Sequence, residues 1–215
     1  RGYPSDDDRQ GRSVVSSLVG GAGPCVGLLE LASIAAGYEV TDALRKEAEV
    51  EVLLSRPVSP GKWIVLFGGA VEDTSSALRR GAEVGADVLL DKLFIPNLEP
   101  TLMDLIRGEP KRDGPLALDA VGILETLSVA STIRAADIVS KTGTLRLVGL
   151  GLALGLGGKS YVTYTGEVSD VESATDNGAA DAERAGLPVR RVVIPQPHGD
   201  MVAVLGASFG VVMSG

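Results

Sequence analysis

Residues 26–35 read VGLLELASIA, and residues 121–130 read VGILETLSVA. The two stretches align without a gap at an offset of 95. Asp42 then meets Asp137 and Lys46 meets Lys141 in the same register. Two inserted residues move the offset to 97, where Gly61-Lys62 meets Gly158-Lys159 and Gly69 meets Gly166. Later, IPNLEP (95–100) meets IPQPHG (194–199) at an offset of 99. Matches kept in order along most of a hundred residues mark a tandem duplication of one small domain.

One copy reads as a regular alternation of elements. VGLLELAS is apolar and runs like a buried strand. GYEVTDALRKEAEV places Val40, Ala43 and Leu44 at helical spacing. VEVLLSR is a strand, PVSPGK a turn and WIVLFGG a second strand. VEDTSSALRRGAEVGA is a helix, with Val71, Leu78, Ala82 and Gly85 expected on its buried side. DVLLDKLFIP is a strand, and EPTLMDLIRG a short closing helix. The β-α-β-β-α-β-α order repeats in copy two, with helices at TIRAADIVSKT and VSDVESATDNGAADAERAG. Each copy is therefore expected to be α+β, a β-sheet with helices packed on one face. The expected division is a flexible N-terminal extension over 1–24, a first domain over 25–107 and a polar linker over 108–119. A second domain over 120–208 and an apolar tail over 209–215 follow.

Composition narrows the function. The 215 residues are 45% hydrophobic but only 4% aromatic, so the core must be aliphatic and small. The 28 glycines are about twice the usual share of roughly 7%, which points to tight turns and close backbone approaches. The net charge is −8, with no basic tract, so nucleic acid is not an expected partner. A single cysteine, Cys25, rules out an intrachain disulfide and a Cys-based zinc framework. A single histidine, His198, disfavours a His-rich metal site or a His-based triad. No apolar run matches a membrane span, and the acidic start RGYPSDDDRQ is unlike a cationic signal peptide, so a cytoplasmic protein is expected.

One stretch suggests chemistry. ALGLGGKS (153–160) fits a relaxed phosphate-loop pattern ending in Lys159 and Ser160. Such a loop binds because it leads into a helix whose first N–H groups and dipole face the phosphate. Here the chain continues YVTYTGEV, a β-branched and aromatic run that reads as a strand. The equivalent loop in copy one is PVSPGKW, where Pro57 and Pro60 remove two N–H donors and Trp63 replaces the hydroxyl of Ser160. The same missing helix argues against a dinucleotide fingerprint at Gly149, Gly151 and Gly155. A compact glycine turn between two strands is the better reading.

GLLELASIAAGYEVTDALRKE, LLSRPVSPGKWIVLFGG and IPNLEP, with their counterparts in copy two, resemble the bacterial microcompartment (BMC) shell domain. The resemblance covers roughly residues 26–205. It is closest to the tandem-domain trimeric shell proteins, among which the propanediol-utilisation type carries an iron–sulfur cluster. It implies two BMC-fold domains per chain and a homotrimer that forms a pseudohexamer. It implies a structural role in the shell of a cytoplasmic microcompartment, tiling with hexameric and pentameric shell proteins around encapsulated enzymes, with no catalytic residues. It further implies a central pore for small metabolites, lined by Pro57, Val58, Ser59 and Pro60 of copy one and by Gly155, Leu156 and Gly157 of copy two. Duplication lets two loop chemistries alternate around such a pore: a stiff loop with a hydroxyl at Ser59, and a flexible one with Leu156 at the equivalent position. In the cluster-bearing relatives a cysteine stands where Ser59 stands here. Serine is a poor substitute for a thiolate ligand. No metal and no cofactor are therefore expected. Lys46 and Lys141 match the edge lysine of the family, which meets neighbouring units across the tile seam. Asn97 and Gln196 stand where an edge arginine is frequent. Lys62 and Lys159 follow the pore loops, and either make the pore approach positive or are simply solvated. Two alternatives stay open: a shell trimer carrying a redox centre or cofactor at its pore for electron transfer, and, on ALGLGGKS alone, a nucleotide-binding enzyme.

Overall fold

A computed structural model describes residues 24–109 and 119–207; most of the expected N-terminal extension and linker, and all of the C-terminal tail, lie outside the described residues. The first half contains β1 (Cys25–Leu31), α1 (Ile34–Glu47), β2 (Val50–Val58), β3 (Lys62–Gly69), α2 (Val71–Val84), β4 (Leu89–Ile95) and α3 (Pro100–Ile106). The second contains β5 (Ala120–Thr126), α4 (Val129–Ser140), β6 (Arg146–Leu152), β7 (Ser160–Gly166), α5 (Val168–Arg184), β8 (Val189–Pro195) and α6 (Met201–Ala207). The element order read from the repeat is the observed one, and each half is an antiparallel four-stranded sheet. Strand order is β2-β3-β1-β4 in the first and β6-β7-β5-β8 in the second. The registers agree as well: Gly27 faces Phe67 on β3, and its counterpart Gly122 faces Tyr164 on β7.

The central strand β1 is buried along its whole length, which is why it reads as an unbroken apolar run. Leu29 and Leu31 point to one face and pack with Val40 and Leu44 of α1, Trp63, Val65 and Phe67. Val26 and Leu28 point to the other, into a core shared with the second half. In the second sheet Tyr164 is fully buried, and its hydroxyl lies 2.6 Å from that of Thr175. Burial pushes the Tyr164 phenol up to about 12, partly offset by the Thr175 hydrogen bond, so it stays protonated at any physiological pH.

Three local expectations are corrected. First, α1 and α4 each start three residues before the expected stretches GYEV and TIRA, because Ser33 and Ser128 cap them: Ser33 Oγ accepts from Ala36 N at 3.2 Å and Ser128 Oγ from Ser131 N at 3.1 Å. Second, the buried stripe of α2 is Thr74, Ala77, Gly81 and Gly85, while Val71 is exposed and Leu78 and Ala82 only half-buried. Small residues win this face because the helix lies close on β1. A Cβ on Gly81 would come within 2.5 Å of Leu29 Cδ1, and one on the equivalent Gly178 within 2.8 Å of Leu124 Cδ1. Third, the first strand starts one residue before the expected VGLLELAS, at Cys25, which pairs with Gly69.

Candidate pore loops and domain seam

The β2–β3 and β6–β7 connections are the two expected pore loops, and the structure brings them side by side. Ser59 N donates to Ala153 O at 3.2 Å, so the loop of one domain is tied to the loop of the other. The first loop is short: Pro57 and Val58 belong to β2, the Ser59–Pro60 peptide is cis, and Gly61 N closes the turn on Val58 O at 3.0 Å. The second is longer and threads Ala153, Gly155, Gly157 and Gly158 through positive φ. That backbone explains the glycine content of ALGLGGKS without a phosphate. The loop runs directly into β7, and Lys159 turns to Glu125 at 2.8 Å.

Pro57, Pro60, Gly155, Leu156 and Gly157 are exposed and Ser59 half-exposed. Val58 differs: strand alternation turns its side chain inward, where it joins the shared core. The ligand set for a cluster does not fit these residues. Ser59 brings a hydroxyl to the loop tip, and Cys25, the one thiol, is buried in β1 away from both loops. Burial raises the Cys25 thiol above its usual range, so the thiolate that a metal would require is disfavoured. Protein purified anaerobically is therefore expected to be colourless and iron-free by absorbance and metal analysis; stoichiometric iron with visible charge-transfer bands would refute this.

The seam between the two domains is built like a core. Helix α3 packs on β6 and α4, and α4 packs on β1 and β4. Leu98, Leu102, Met103, Leu105 and Ile106 of the first domain share one cluster with Val129, Ala130, Ile133, Leu150 and Leu152 of the second. A buried carboxylate keys this seam. Glu30, next to last in β1, takes Lys62 Nζ on Oε1 at 2.8 Å. Its Oε2 takes the Val129 N–H at 2.9 Å and the Ser128 hydroxyl at 3.3 Å, both at the start of α4. Lys62 also reaches Leu127 O at 3.2 Å, and Asp91 Oδ2 takes the Ser128 hydroxyl. An acidic group at a helix N-terminus satisfies N–H groups that have no partner within the helix. Sequence reasoning passed over Glu30. Its signal was a lone carboxylate inside an apolar strand, repeated as Glu125 in copy two.

Of the expected edge residues, the structure joins two across this seam. Lys141 Nζ donates to Asn97 O at 2.6 Å and to Asp137 Oδ2 at 2.8 Å, while Asp137 Oδ1 accepts from Glu99 N at 2.9 Å. The other two stay apart. Lys46 pairs within its helix, with Asp42 at 2.5 Å, and Gln196, at φ 46, donates its N–H to Asp119 O at 2.7 Å.

Comparison with known proteins places this architecture. The family model described as "BMC domain" matches twice, over residues 25–98 and 120–197. The bacterial microcompartment shell protein PduT of Citrobacter freundii is 41% identical over 176 residues, covering 82% of this chain and 94% of that protein. The shell protein EutM of Salmonella typhimurium is 39% identical over 92 residues, covering 43% of this chain and 94% of its own length. A crystal structure of a microcompartment protein from Desulfitobacterium hafniense is 42% identical, covers 84% of this chain and 98% of its own, and superposes with a TM-score of 0.73. Two matches in tandem, in register with the two sheets and with the sequence repeat, leave one conclusion: the chain belongs to the BMC domain family and carries two such domains.

Proposed function

We propose that this protein is a structural shell protein of a bacterial microcompartment rather than an enzyme. Three copies close head to tail into a six-domain ring, a pseudohexamer that tiles a shell facet and leaves a pore on its axis. The observation that carries the ring is an asymmetry between equivalent residues. Val129 and Ile133 on α4 are 0% exposed and Met103 and Leu105 on α3 are 6% and 1% exposed, because the two domains of one chain cover them. Their repeat counterparts are open: Ile34 and Tyr38 on α1 are 41% and 65% exposed, and Val202 and Val204 on α6 are 45% and 56% exposed. The described residues thus present the two unlike halves of the seam that the chain already contains. Such halves join heterologously, and contacts of that kind close into a ring when the rotation permits.

The pore reading follows from the ring. Closing it would carry the paired loops to the axis three times, so that Ser59 and Pro60 alternate with Gly155, Leu156 and Gly157. Hydroxyls and backbone groups would then face small polar metabolites. The domain limits that suit this reading are 25–107 and 120–208. The similarity to PduT and EutM supports a place in a shell, beside hexameric and pentameric shell proteins, around encapsulated enzymes in the cytoplasm. Among the described residues no helix is long and apolar enough to cross a membrane. Sedimentation equilibrium tests the ring: a species of three times the chain mass is expected at micromolar concentration. A chain that stays monomeric there would refute it.

A further inference from the structure

The polar residues at the two ends of the chain carry the reading further. The pair Glu30–Lys62, which keys the inner seam, has a counterpart in Glu125–Lys159, with the same 2.8 Å contact. Glu30 is 1% exposed, whereas Glu125 is 37% exposed, on the interior strand β5 next to the edge strand β8. The helix start that Glu30 caps, Ser128–Val129, has its counterpart in Ser33–Ile34, at the exposed end of α1. One more position changes sign. Arg134 on α4 reaches across the inner seam and donates to the backbone carbonyl of Lys92 on β4 at 3.3 Å. Its counterpart on α1 is Glu39, and the counterpart of Lys92 on β8 is Arg191. A carboxylate cannot donate to a carbonyl, so Glu39 needs a cation where Arg134 needed an acceptor. Arg191 supplies one, and its long side chain makes up for the shorter reach of Glu39. Arg191 is exposed and lies near Asp176 and Glu183 of its own chain, at 3.3 and 3.9 Å.

We propose that these groups are the polar key of the seam between neighbouring copies of this chain. Glu125 of one copy caps α1 of the next at Ser33 and Ile34, and Arg191 of the first pairs with Glu39 of the second. The occupant of the exposed β8–α6 face is therefore α1 of a second copy, and the proposal rests on the ring reading above. Lys159 holds the Glu125 carboxylate in place, as Lys62 holds Glu30. This ion pair is absent from the seam within a chain, so a copy of this chain is preferred there over a neighbour with a cation on the equivalent helix.

The test is a charge exchange read by sedimentation of the full chain. Glu39→Arg and Arg191→Glu, each alone, should weaken association at least about tenfold per seam, the order expected for a charge-assisted contact. The two changes together should recover association to within a few-fold of the parent. Glu125→Ala should weaken it about tenfold, with Glu125→Gln in between, while far-UV circular dichroism shows the dissociated chain folded in every variant. If the parent associates but the double exchange is no better than the weaker single change, the key is wrong and the ring stands. Unchanged association of Glu125→Ala would overturn the cap in the same way. A parent that does not associate overturns both readings.

Discussion

Replacing Ile34 and Tyr38 by aspartate is expected to turn the trimer into a folded monomer. Ile34 and Tyr38 are 41% and 65% exposed in the single chain, so within the domain the change costs chiefly the ring contact of Tyr38 with Trp63. In the ring each would be covered, as Val129 and Ile133 are. Burial of a large apolar side chain contributes about 1.5–3 kcal/mol. A carboxylate placed in such a seam adds a desolvation cost of its own. A loss of about 3 kcal/mol per seam is about two decades in affinity. Closure uses three equal seams, so the trimer constant falls by about six decades. No association should remain at ten micromolar, with far-UV circular dichroism and melting of the monomer intact. Val202→Asp with Val204→Asp, on the opposite half, should do the same. The two dissociated variants, mixed one to one, make the sharper experiment. Each retains the half that the other lacks, so one sound seam can form between them and no second. A heterodimer that grows no further is the expected product. Association of either variant with itself would show that α1 and α6 are not the two halves of one seam.

The repeat made most of the architecture legible. Offsets of 95, 97 and 99 are the alignments of β1 with β5, β3 with β7 and β4 with β8, and the paired registers obey them. The loop ALGLGGKS was legible too, because strand propensity in YVTYT outweighs a motif that needs a helix behind it. What could not be read was the difference between the copies. Glu30 and Glu125 sit in near-identical strands, yet one is sealed and the other open. The reason lies in chain order: the second domain follows the first and covers its β4 edge, whereas among the described residues no further domain packs on the β8 edge. Periodicity also misjudged α2, where hydrophobicity favoured Val71 and Leu78. Close approach to Leu29 instead selected Gly81 and Ala77. Val58 was misplaced for a related reason, since a strand continues into what looked like a proline turn.

Glu30→Ala is expected to cost about 3 kcal/mol of folding stability and to loosen the two domains from each other. Removing one partner of a buried ion pair typically costs about 3–5 kcal/mol, because the other charge is left without compensation. Lys62 is 21% exposed and keeps the Leu127 carbonyl, which places the loss at the lower end of that range. The Val129 N–H loses its acceptor, and the Ser128 hydroxyl keeps Asp91. Glu30→Gln should cost about half as much, since an amide oxygen can still accept from Val129 but cannot neutralise Lys62. The measurement belongs in the monomeric Ile34→Asp, Tyr38→Asp background, where stability does not depend on protein concentration. In urea the parent should unfold in one transition, because the two domains share a hydrophobic cluster. With Glu30→Ala the transition should move to lower urea and broaden or split, and amide exchange should speed first at Val129, Ala130 and Ser131. Glu125→Ala, in the same background, should change stability by no more than about 0.5 kcal/mol, as exposed ion pairs do. Equal losses at the two glutamates would mean that each carboxylate only supports its own sheet. A large loss at Glu30 beside a small one at Glu125 is the signature of a carboxylate that binds one domain to the next.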